Sequence, residues 1–512
     1  MPPDFSCARR RGSSSSPLLL TKDNNDSEGL TATVDTSTTT IAAAVSTATK
    51  GASIPNLTTS LVKSIVGSGV FALPAGVAAM AASSSSVLST MTSPTLIAPA
   101  TILIVLAIGA MNAYFFGLVG RICAQTGAIS YKQAWERTVD ARRINSETMT
   151  MTTMAESTTT SPSSSKKSTG IWVALVVTLK TFLSCLSYSM ILADSFAALA
   201  AAAGWHDVTR TVALVGITLT ALLPLCLLPD LKALAPFSFL GLVGIGVAAV
   251  SMTVRWLDGT YVLPGGGTDG ILQNTTMHWP GALVLACTLA TAFVAHYNAP
   301  RFHAELDNPT SQRFDTVTGI AFLVSAIFYM FIALVGYWTF GTASSGFILN
   351  NYSSSDPLVS FSRLAVALSI TLSYPLPFTG LRDGVLDILG MPLTASPVSS
   401  GQPDPKRAAL SVGLLAIVTF IANKVTDLGL VLTVGGGTFS TAVSAVFPAL
   451  MFAAAQQQEE ENLALGQAVD TGIGRVAVKN KRSPGTTLAL TLMAVSVAIG
   501  GTGTVIALKN SL

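Results

Sequence analysis

Apolar stretches long enough to cross a lipid bilayer recur along this sequence, and they limit its possible folds more than any other feature. An α-helix satisfies its backbone hydrogen bonds internally, as lipid requires, so such stretches predict membrane-spanning helices. We expect eleven of them, the ninth being short, at 57–81, 95–120, 171–194, 210–228, 236–256, 279–297, 316–340, 357–378, 408–423, 426–453 and 486–508. The predicted fold class is an all-α polytopic membrane protein.

The composition agrees with a membrane protein and argues against several other classes. Half of the 512 residues are apolar and 11% are charged, whereas a soluble domain has about 25% charged residues. The net charge of +3 is too small to indicate a nucleic-acid partner. Five isolated cysteines and four dispersed histidines indicate neither a disulfide framework nor a metal site. Because motifs typical of nucleotide hydrolysis and membrane proteolysis are missing, we expect neither an enzyme nor a cofactor.

Polar segments divide the chain. Residues 1–55 are rich in Ser, Thr, Asp and Asn and are predicted to form a disordered cytosolic tail before a membrane domain at 56–512. A Ser/Thr/Met-rich stretch predicts a flexible cytosolic loop insertion at about 139–169. With the N-terminus inside, 22 Lys and Arg residues fall in inner segments and 4 in outer ones. This distribution favours a cytosolic N-terminus and a lumenal or extracellular C-terminus, and the glycosylation sequons at Asn274 and Asn351 agree with it.

One span, Asn56–Met80, has a weak centre. It carries Gly67, Ser68 and Gly69 at mid-depth and Pro74 about one and a half turns later. Such residues interrupt a helix, and an interruption frees backbone N–H and C=O groups that lipid cannot satisfy. The interruption must face protein or a water-filled cavity, which predicts a binding site. Close helix packing on the glycines is the alternative.

Several stretches carry a family resemblance. They are LVKSIVGSGVFALP in the first span, CLSYSMILADS in the third, LPLCLLPDLKALAPFSFLG after the fourth, FVAHYNAPRFHAEL after the sixth, and RLAVALSITLSYPLPFTGLR and TDLGLVLTVGGGTFSTAVSAVFPAL further on. Together they resemble the amino acid/auxin permease family, within the amino acid, polyamine and organocation transporter superfamily. The resemblance implies a five-plus-five inverted repeat of the LeuT type with an additional eleventh helix. It also implies a substrate site between interrupted first and sixth helices.

The resemblance further indicates which residues form that site. Backbone groups exposed at a break can bind the carboxylate and ammonium of an amino acid, and an aromatic hydroxyl on the third helix commonly closes over the substrate. The sixth helix has no glycine pair at mid-span, so its break is implied by the resemblance alone. The predicted substrate-binding residues are Ser64, Gly67, Ser68, Gly69, Tyr188, Thr288, Thr291 and Phe293.

The coupling ion is expected to be H⁺ or Na⁺. Ser369, Thr371 and Ser373 offer oxygen atoms where sodium-coupled relatives hold Na⁺, although buried hydroxyls also bond within their own helix. Lys63 lies one turn before the break, where such relatives tend to have Asn and proton-coupled ones tend to have Lys. Because a fixed ammonium would repel Na⁺, we favour proton coupling. A lysine that reaches the lipid headgroups is the alternative.

Two further basic residues near the site are interpreted as structural. Lys180 shares one face of the third span with Ser184, Ser187 and Tyr188, and a polar face within lipid should turn toward the bundle. Lys180 itself is expected to extend toward the cytosolic headgroups. His296 is expected to cap carbonyls at a cytosolic helix end, the alternative being a proton-sensitive gate.

These features predict a monomeric secondary active transporter that moves amino acids by alternating access. Small or neutral amino acids are favoured, because no pocket candidate offers a carboxylate for a cationic side chain. Its partners are the amino acid and the lipid bilayer, in the plasma membrane or a vacuolar or lysosomal membrane. A sodium-coupled amino acid transporter and an amino-acid sensor on the same fold are the alternative functions.

Overall fold

The computed structural model describes residues 51–81, 96–144, 168–228, 238–261, 278–391, 405–471 and 483–511. Within these ranges the regular structure is helical, apart from an isolated parallel bridge between Ala52 and Leu306. Almost all of the predicted tail and the centre of the predicted insertion, 145–167, lie outside the described residues.

The helices follow the apolar stretches, as the lipid environment requires. Short 3₁₀ or π-helical turns separate several of them. In chain order they are α1 (Ile54–Ile65), α2 (Leu73–Met80), α3 (Ile97–Thr126), α4 (Tyr131–Trp135), α5 (Gly170–Ala202), α6 (Arg210–Ile217), α7 (Leu223–Cys226), α8 (Ser238–Leu257), α9 (Trp279–Ala292), α10 (Ala299–Glu305), α11 (Ser311–Phe340), α12 (Pro357–Ser373), α13 (Pro375–Ile388), α14 (Pro405–Lys424), α15 (Leu428–Gly435), α16 (Phe447–Thr471) and α17 (Pro484–Ser511).

The prediction of an all-α polytopic membrane protein is confirmed. Among the described residues, 8 helices are long and apolar enough to cross a membrane, and the bent pair α1 and α2 makes 9. Two shorter apolar helices, Arg210–Cys226 and Gly241–Leu257, occupy the predicted fourth and fifth spans. The exact number of eleven spans stays a prediction.

Two spans are interrupted. The first bends by 47° between α1 and α2, where a 3₁₀ turn, Ser68–Ala72, replaces the helix. The sixth leaves helical geometry after α9 and resumes through a 3₁₀ turn, His296–Asn298, before α10. Each second half has a proline in its first turn, Pro74 in α2 and Pro300 in α10, where the missing N–H is not needed. The sixth-span break implied by the resemblance is therefore present without a glycine pair.

The edges of the predicted loop insertion belong to the helical structure. Residues 141–144 continue a helix, and the Asp140 carboxylate accepts hydrogen bonds from Ser168 Oγ at 2.8 Å and Thr169 N at 3.0 Å. Because these donors lie at the start of α5, the carboxylate satisfies N–H groups that the helix itself leaves unpaired. The two ends of the insertion are thus tied to each other.

Small residues bring the interrupted helices close to their neighbours. A Cβ built on Gly281 of α9 would lie 2.0 Å from the carbonyl oxygen of Ala79 in α2, and one on Gly336 of α11 would lie 2.5 Å from Pro74 Cγ. Close backbone approach through glycine is the usual means by which helices associate tightly in lipid. These contacts fix α2 between α9 and α11.

We expect Gly281→Ala to destabilise the fold, because the added methyl group meets a backbone carbonyl that cannot rotate away. Overpacking of this kind costs about 1–3 kcal/mol. The melting temperature in detergent, followed by fluorescence-detected size-exclusion chromatography, should fall. Gly246→Ala is the matched control, since a Cβ there meets nothing within 4 Å. Equal melting temperatures for the two variants would contradict the assigned contact.

Candidate functional site

A cavity of about 810 Å³ lies beside both interruptions. Its inner wall includes Gly67 and Gly69 from the first break and Tyr188 from α5. At its other end the cavity is lined by the exposed residues Ser60 and Glu305, so it opens to the surface there. A volume of this size is typical of sites for small molecules.

The backbone leaves helical geometry at the first break and brings the two interruptions together. Gly67 is extended, with φ −114° and ψ −168°, and a Cβ on it would lie 3.6 Å from the Tyr188 hydroxyl. A Cβ on Gly69 would lie 3.7 Å from the Cα of Ala292, the last residue of α9. The Tyr188 hydroxyl and the two breaks therefore enclose the inner end of the cavity.

Tyr329 of α11 links the two interruptions. Its buried hydroxyl lies 2.7 Å from the carbonyl oxygen of Ile65 and 2.8 Å from that of Ala292, the last residues of α1 and α9. A single hydroxyl proton is shared between these acceptors, which have lost their helical N–H partners to the breaks. Tyr329 thus holds both helix ends at one point.

The predicted ion-coupling residues meet at Gly241 in α8. A Cβ on Gly241 would lie 3.3 Å from Ser369 Oγ, 3.5 Å from Lys63 Cε and 3.7 Å from Ser373 Oγ. Ser369 Oγ also donates to the Gly241 carbonyl oxygen at 3.2 Å. We call these four residues the polar corner of the cavity. Lys63 makes no hydrogen bond or ion pair with the part of the chain that the structure describes.

Ser64 and Thr291 also line the cavity. Ser64 Oγ accepts a long hydrogen bond of 3.5 Å from Asn298 Nδ2, which joins α1 to the 3₁₀ turn of the sixth span. Thr291 Oγ1 donates to the Leu432 carbonyl oxygen at 2.6 Å and so attaches α9 to α15. Both hydroxyls border the breaks and also hold neighbouring helices.

Three predicted site residues face away from the cavity. Thr288 Oγ1 lies 3.0 Å from the Val284 carbonyl and 3.1 Å from Thr433 Oγ1, in a contact between α9 and α15. The buried Phe293 ring packs on Tyr329, with centroids 4.7 Å apart. Thr371 Oγ1 donates within its own helix, to Ala367 at 2.8 Å. These three side chains contact neighbouring helices or their own helix and do not line the cavity. Ser68 has its backbone in the 3₁₀ turn, and its side chain lies outside the described residues.

Comparison with known proteins identifies the family of this chain. Residues 50–466 match the family described as "Transmembrane amino acid transporter protein". This chain belongs to that family.

Relatives within the transmembrane amino acid transporter family are distant. Sodium-coupled neutral amino acid transporter 7 of Homo sapiens is 24% identical over 313 residues, which cover 58% of this chain and 65% of that protein. Amino acid transporter AVT6B of Arabidopsis thaliana is 26% identical over 265 residues, 48% of this chain and 56% of that protein. The chain thus spans about half to just under two thirds of the length of these curated relatives. A crystal structure of MhsT in complex with L-phenylalanine is similar at a TM-score of 0.44 and 13% identity, covering 88% of this chain and 98% of that one.

In this family member, the prediction for Lys180 is wrong. Its side chain is only 7% exposed, donates from Nζ to Ser184 Oγ at 2.9 Å, and lies 5.2 Å from the centroid of the Tyr297 ring. A lysine reaching for headgroups would extend toward the membrane surface, whereas this one turns along α5 toward Tyr188. The reason is that this face of α5 borders the cavity.

His296 does bond to a carbonyl, but on another helix. The side chain is fully buried, and its Nε2 donates at 2.9 Å to the carbonyl oxygen of Asn112 in α3. The Asn112 amide itself donates to Ile108 at 2.8 Å in the same helix. His296 therefore ties the interrupted sixth span to α3, in place of the helix-end cap that was expected.

Two features of the site have signals in the sequence that the family motifs do not include. Tyr329 is a hydroxyl-bearing residue at the middle of an apolar span, where polar groups turn toward the protein interior. Pro300 follows the HYN triplet and marks a new helix start. Neither signal identifies the carbonyls that Tyr329 binds, because these lie 264 and 37 residues away along the chain.

We expect Tyr329→Phe to destabilise the protein, because two buried carbonyls lose their donor while the ring packing is kept. An unsatisfied buried polar group costs about 1–3 kcal/mol. The melting temperature in detergent should fall accordingly. Tyr114→Phe serves as control, since the Tyr114 hydroxyl makes a part-buried hydrogen bond of 3.5 Å to Gly485. A Tyr329→Phe variant as stable as this control would refute the bridging role.

Proposed function

We propose that this protein is a secondary active transporter of amino acids, with small or neutral amino acids as substrates. The observation that carries the proposal is the cavity that reaches both helix interruptions, lined by Gly67, Gly69 and Tyr188. Extended backbone at the first break has N–H and C=O groups outside a helical ladder, and an amino acid has a carboxylate and an ammonium to pair with them. Membership of the transmembrane amino acid transporter family supports the same substrate class.

Alternating access is supported by the asymmetry of the cavity. It reaches the exposed residues Ser60 and Glu305 at one end. Toward the other end, the buried rings of Phe71 and Phe347 meet edge to face, with centroids 5.9 Å apart. With a cytosolic N-terminus, the open end faces the cytosol and this is an inward-facing state. Transport then requires the Phe71–Phe347 contact to part while the mouth closes.

Proton coupling is the form of energy coupling that we infer from the polar corner. The Lys63 side chain fills the space next to the Ser369 and Ser373 hydroxyls, and Thr371 is committed to its own helix. A cation held there disfavours a second cation such as Na⁺. Sodium coupling is the second candidate, favoured by the same pair of hydroxyl oxygens.

The function is tested by reconstitution in proteoliposomes. Uptake of a panel of radiolabelled amino acids should be saturable and should rise with an imposed H⁺ gradient more than with a Na⁺ gradient. Gly67→Leu should lower uptake at least tenfold, because the leucine side chain fills the space next to the Tyr188 hydroxyl. Gly67→Ala, whose Cβ makes an ordinary 3.6 Å contact, should retain uptake. No uptake of any amino acid by the wild type would refute transport, and stimulation by Na⁺ alone would refute proton coupling.

Lys63→Asn tests the charge-replacement idea directly. The substitution replaces the ammonium with a neutral amide, whose oxygen can coordinate Na⁺ together with Ser369 and Ser373. We therefore expect uptake to gain dependence on Na⁺ and to lose part of its dependence on H⁺. The measurement is the initial rate under each gradient in turn. An ion dependence identical to that of the wild type would eliminate Lys63 as the coupling group.

A further inference from the structure

Lys180 lies in the wall of the cavity that reaches the first break. Lys180, Ser184 and Tyr188 all line the cavity, and their spacing of four residues places them on one face of α5. The Nζ atom lies 2.9 Å from Ser184 Oγ, which is one helical turn from Tyr188. Four residues of an α-helix correspond to a rise of about 6 Å. The charge thus lies about one turn along α5 from Tyr188, whose hydroxyl approaches Gly67.

This geometry suits a ligand of limited length. An amino acid whose carboxylate and ammonium occupy the break at Gly67 would direct its side chain into the space along α5. A side chain of two or three carbons covers part of roughly 6 Å, and a charge-assisted hydrogen bond of about 2.8 Å to the Lys180 ammonium covers the rest. The ammonium has three N–H donors, and Ser184 accepts from one. The remaining donors are available to a carboxylate.

The charges around the cavity favour an anion near Lys180. The carboxylates that line it belong to ion pairs: Glu305 with Arg301 at 2.7 Å, and Asp383 with Arg407 at 3.0 Å and Arg382 at 3.4 Å. In the described ranges, no carboxylate lies within ion-pair distance of Lys180 or Lys63. The Tyr297 ring, 5.2 Å from Nζ, stabilises the ammonium through its π-face without neutralising it. Two ammonium groups, those of Lys63 and Lys180, therefore face the cavity without a carboxylate partner in the part of the chain that the structure describes.

We propose that Lys180 is a specificity-determining residue that binds the side-chain carboxylate of acidic amino acids and rejects cationic ones. The proposal rests on the proposed function and extends its substrate class from neutral to acidic amino acids. A side-chain carboxylate at this point forms a charge-assisted hydrogen bond with the buried Lys180 ammonium. A cationic side chain meets two ammonium groups of the same sign. Neutral side chains neither pair with these ammonium groups nor are repelled by them.

The test is the substrate selectivity of Lys180→Met, which keeps the length of the side chain and removes its charge. Competition by glutamate and aspartate against labelled alanine should weaken about tenfold or more, and competition by arginine and lysine should strengthen, each measured relative to the alanine uptake of the same variant. Lys180→Arg should keep the wild-type order. Lys424→Met is the matched control, because Lys424 is exposed and contacts the Phe420 ring on α14.

The outcomes separate this inference from the proposed function. If the wild type transports no amino acid, the proposed function fails. If the wild type transports neutral amino acids but is inhibited by arginine as strongly as by glutamate, only the role of Lys180 fails. Unchanged selectivity in Lys180→Met also overturns it. If Lys180→Met does not fold, the inhibitor order is compared between the wild type and Lys180→Arg. Stronger inhibition by glutamate than by arginine in both proteins supports the role of Lys180, and loss of that order in Lys180→Arg overturns it.

Discussion

The structure depends on how two interrupted helices satisfy their released backbone groups away from water. A buried carbonyl without a donor is costly, and lipid offers none. Here the Tyr329 hydroxyl serves the last carbonyls of α1 and α9 together, at 2.7 and 2.8 Å. Because one side chain meets both demands, the two breaks must lie side by side. Their proximity in turn gives the cavity its inner end.

Glycine residues have two different roles around the inner end of the cavity. Gly281 and Gly336 carry no side chain because α9 packs against the α2 backbone at Ala79 and α11 packs against Pro74 of α2. Gly241 carries none because its surroundings are occupied by Lys63, Ser369 and Ser373. The first kind of glycine makes the scaffold rigid beside the breaks. The second kind leaves room for polar groups, which is where coupling to an ion is proposed.

Charge is distributed along the cavity in a graded way. Toward the open end, carboxylates and guanidinium groups neutralise one another, as in the pair of Arg301 and Glu305. Deeper inside, Lys63 and Lys180 face the cavity without carboxylate partners among the described residues. Exposed pairs contribute little and are screened by salt, whereas a buried charge such as the Lys180 ammonium is screened much less. The interior therefore discriminates by charge more than the mouth does.

The helical membrane class, the approximate spans, the first break and the shared face of Lys180, Ser184 and Tyr188 can all be predicted from the sequence. These features follow from local hydropathy, from helix-breaking residues and from the helical repeat, each of which is visible over a few residues. The inward turn of Lys180 and the positions of Thr288, Phe293 and Thr371 outside the cavity lining emerge only when the helices pack. The same is true of the hydrogen bonds from Tyr329 to Ile65 and Ala292, which lie 264 and 37 residues away along the chain. The physical reason is that a side chain's direction and its distant partners depend on which helices pack against it, and no local pattern encodes that packing.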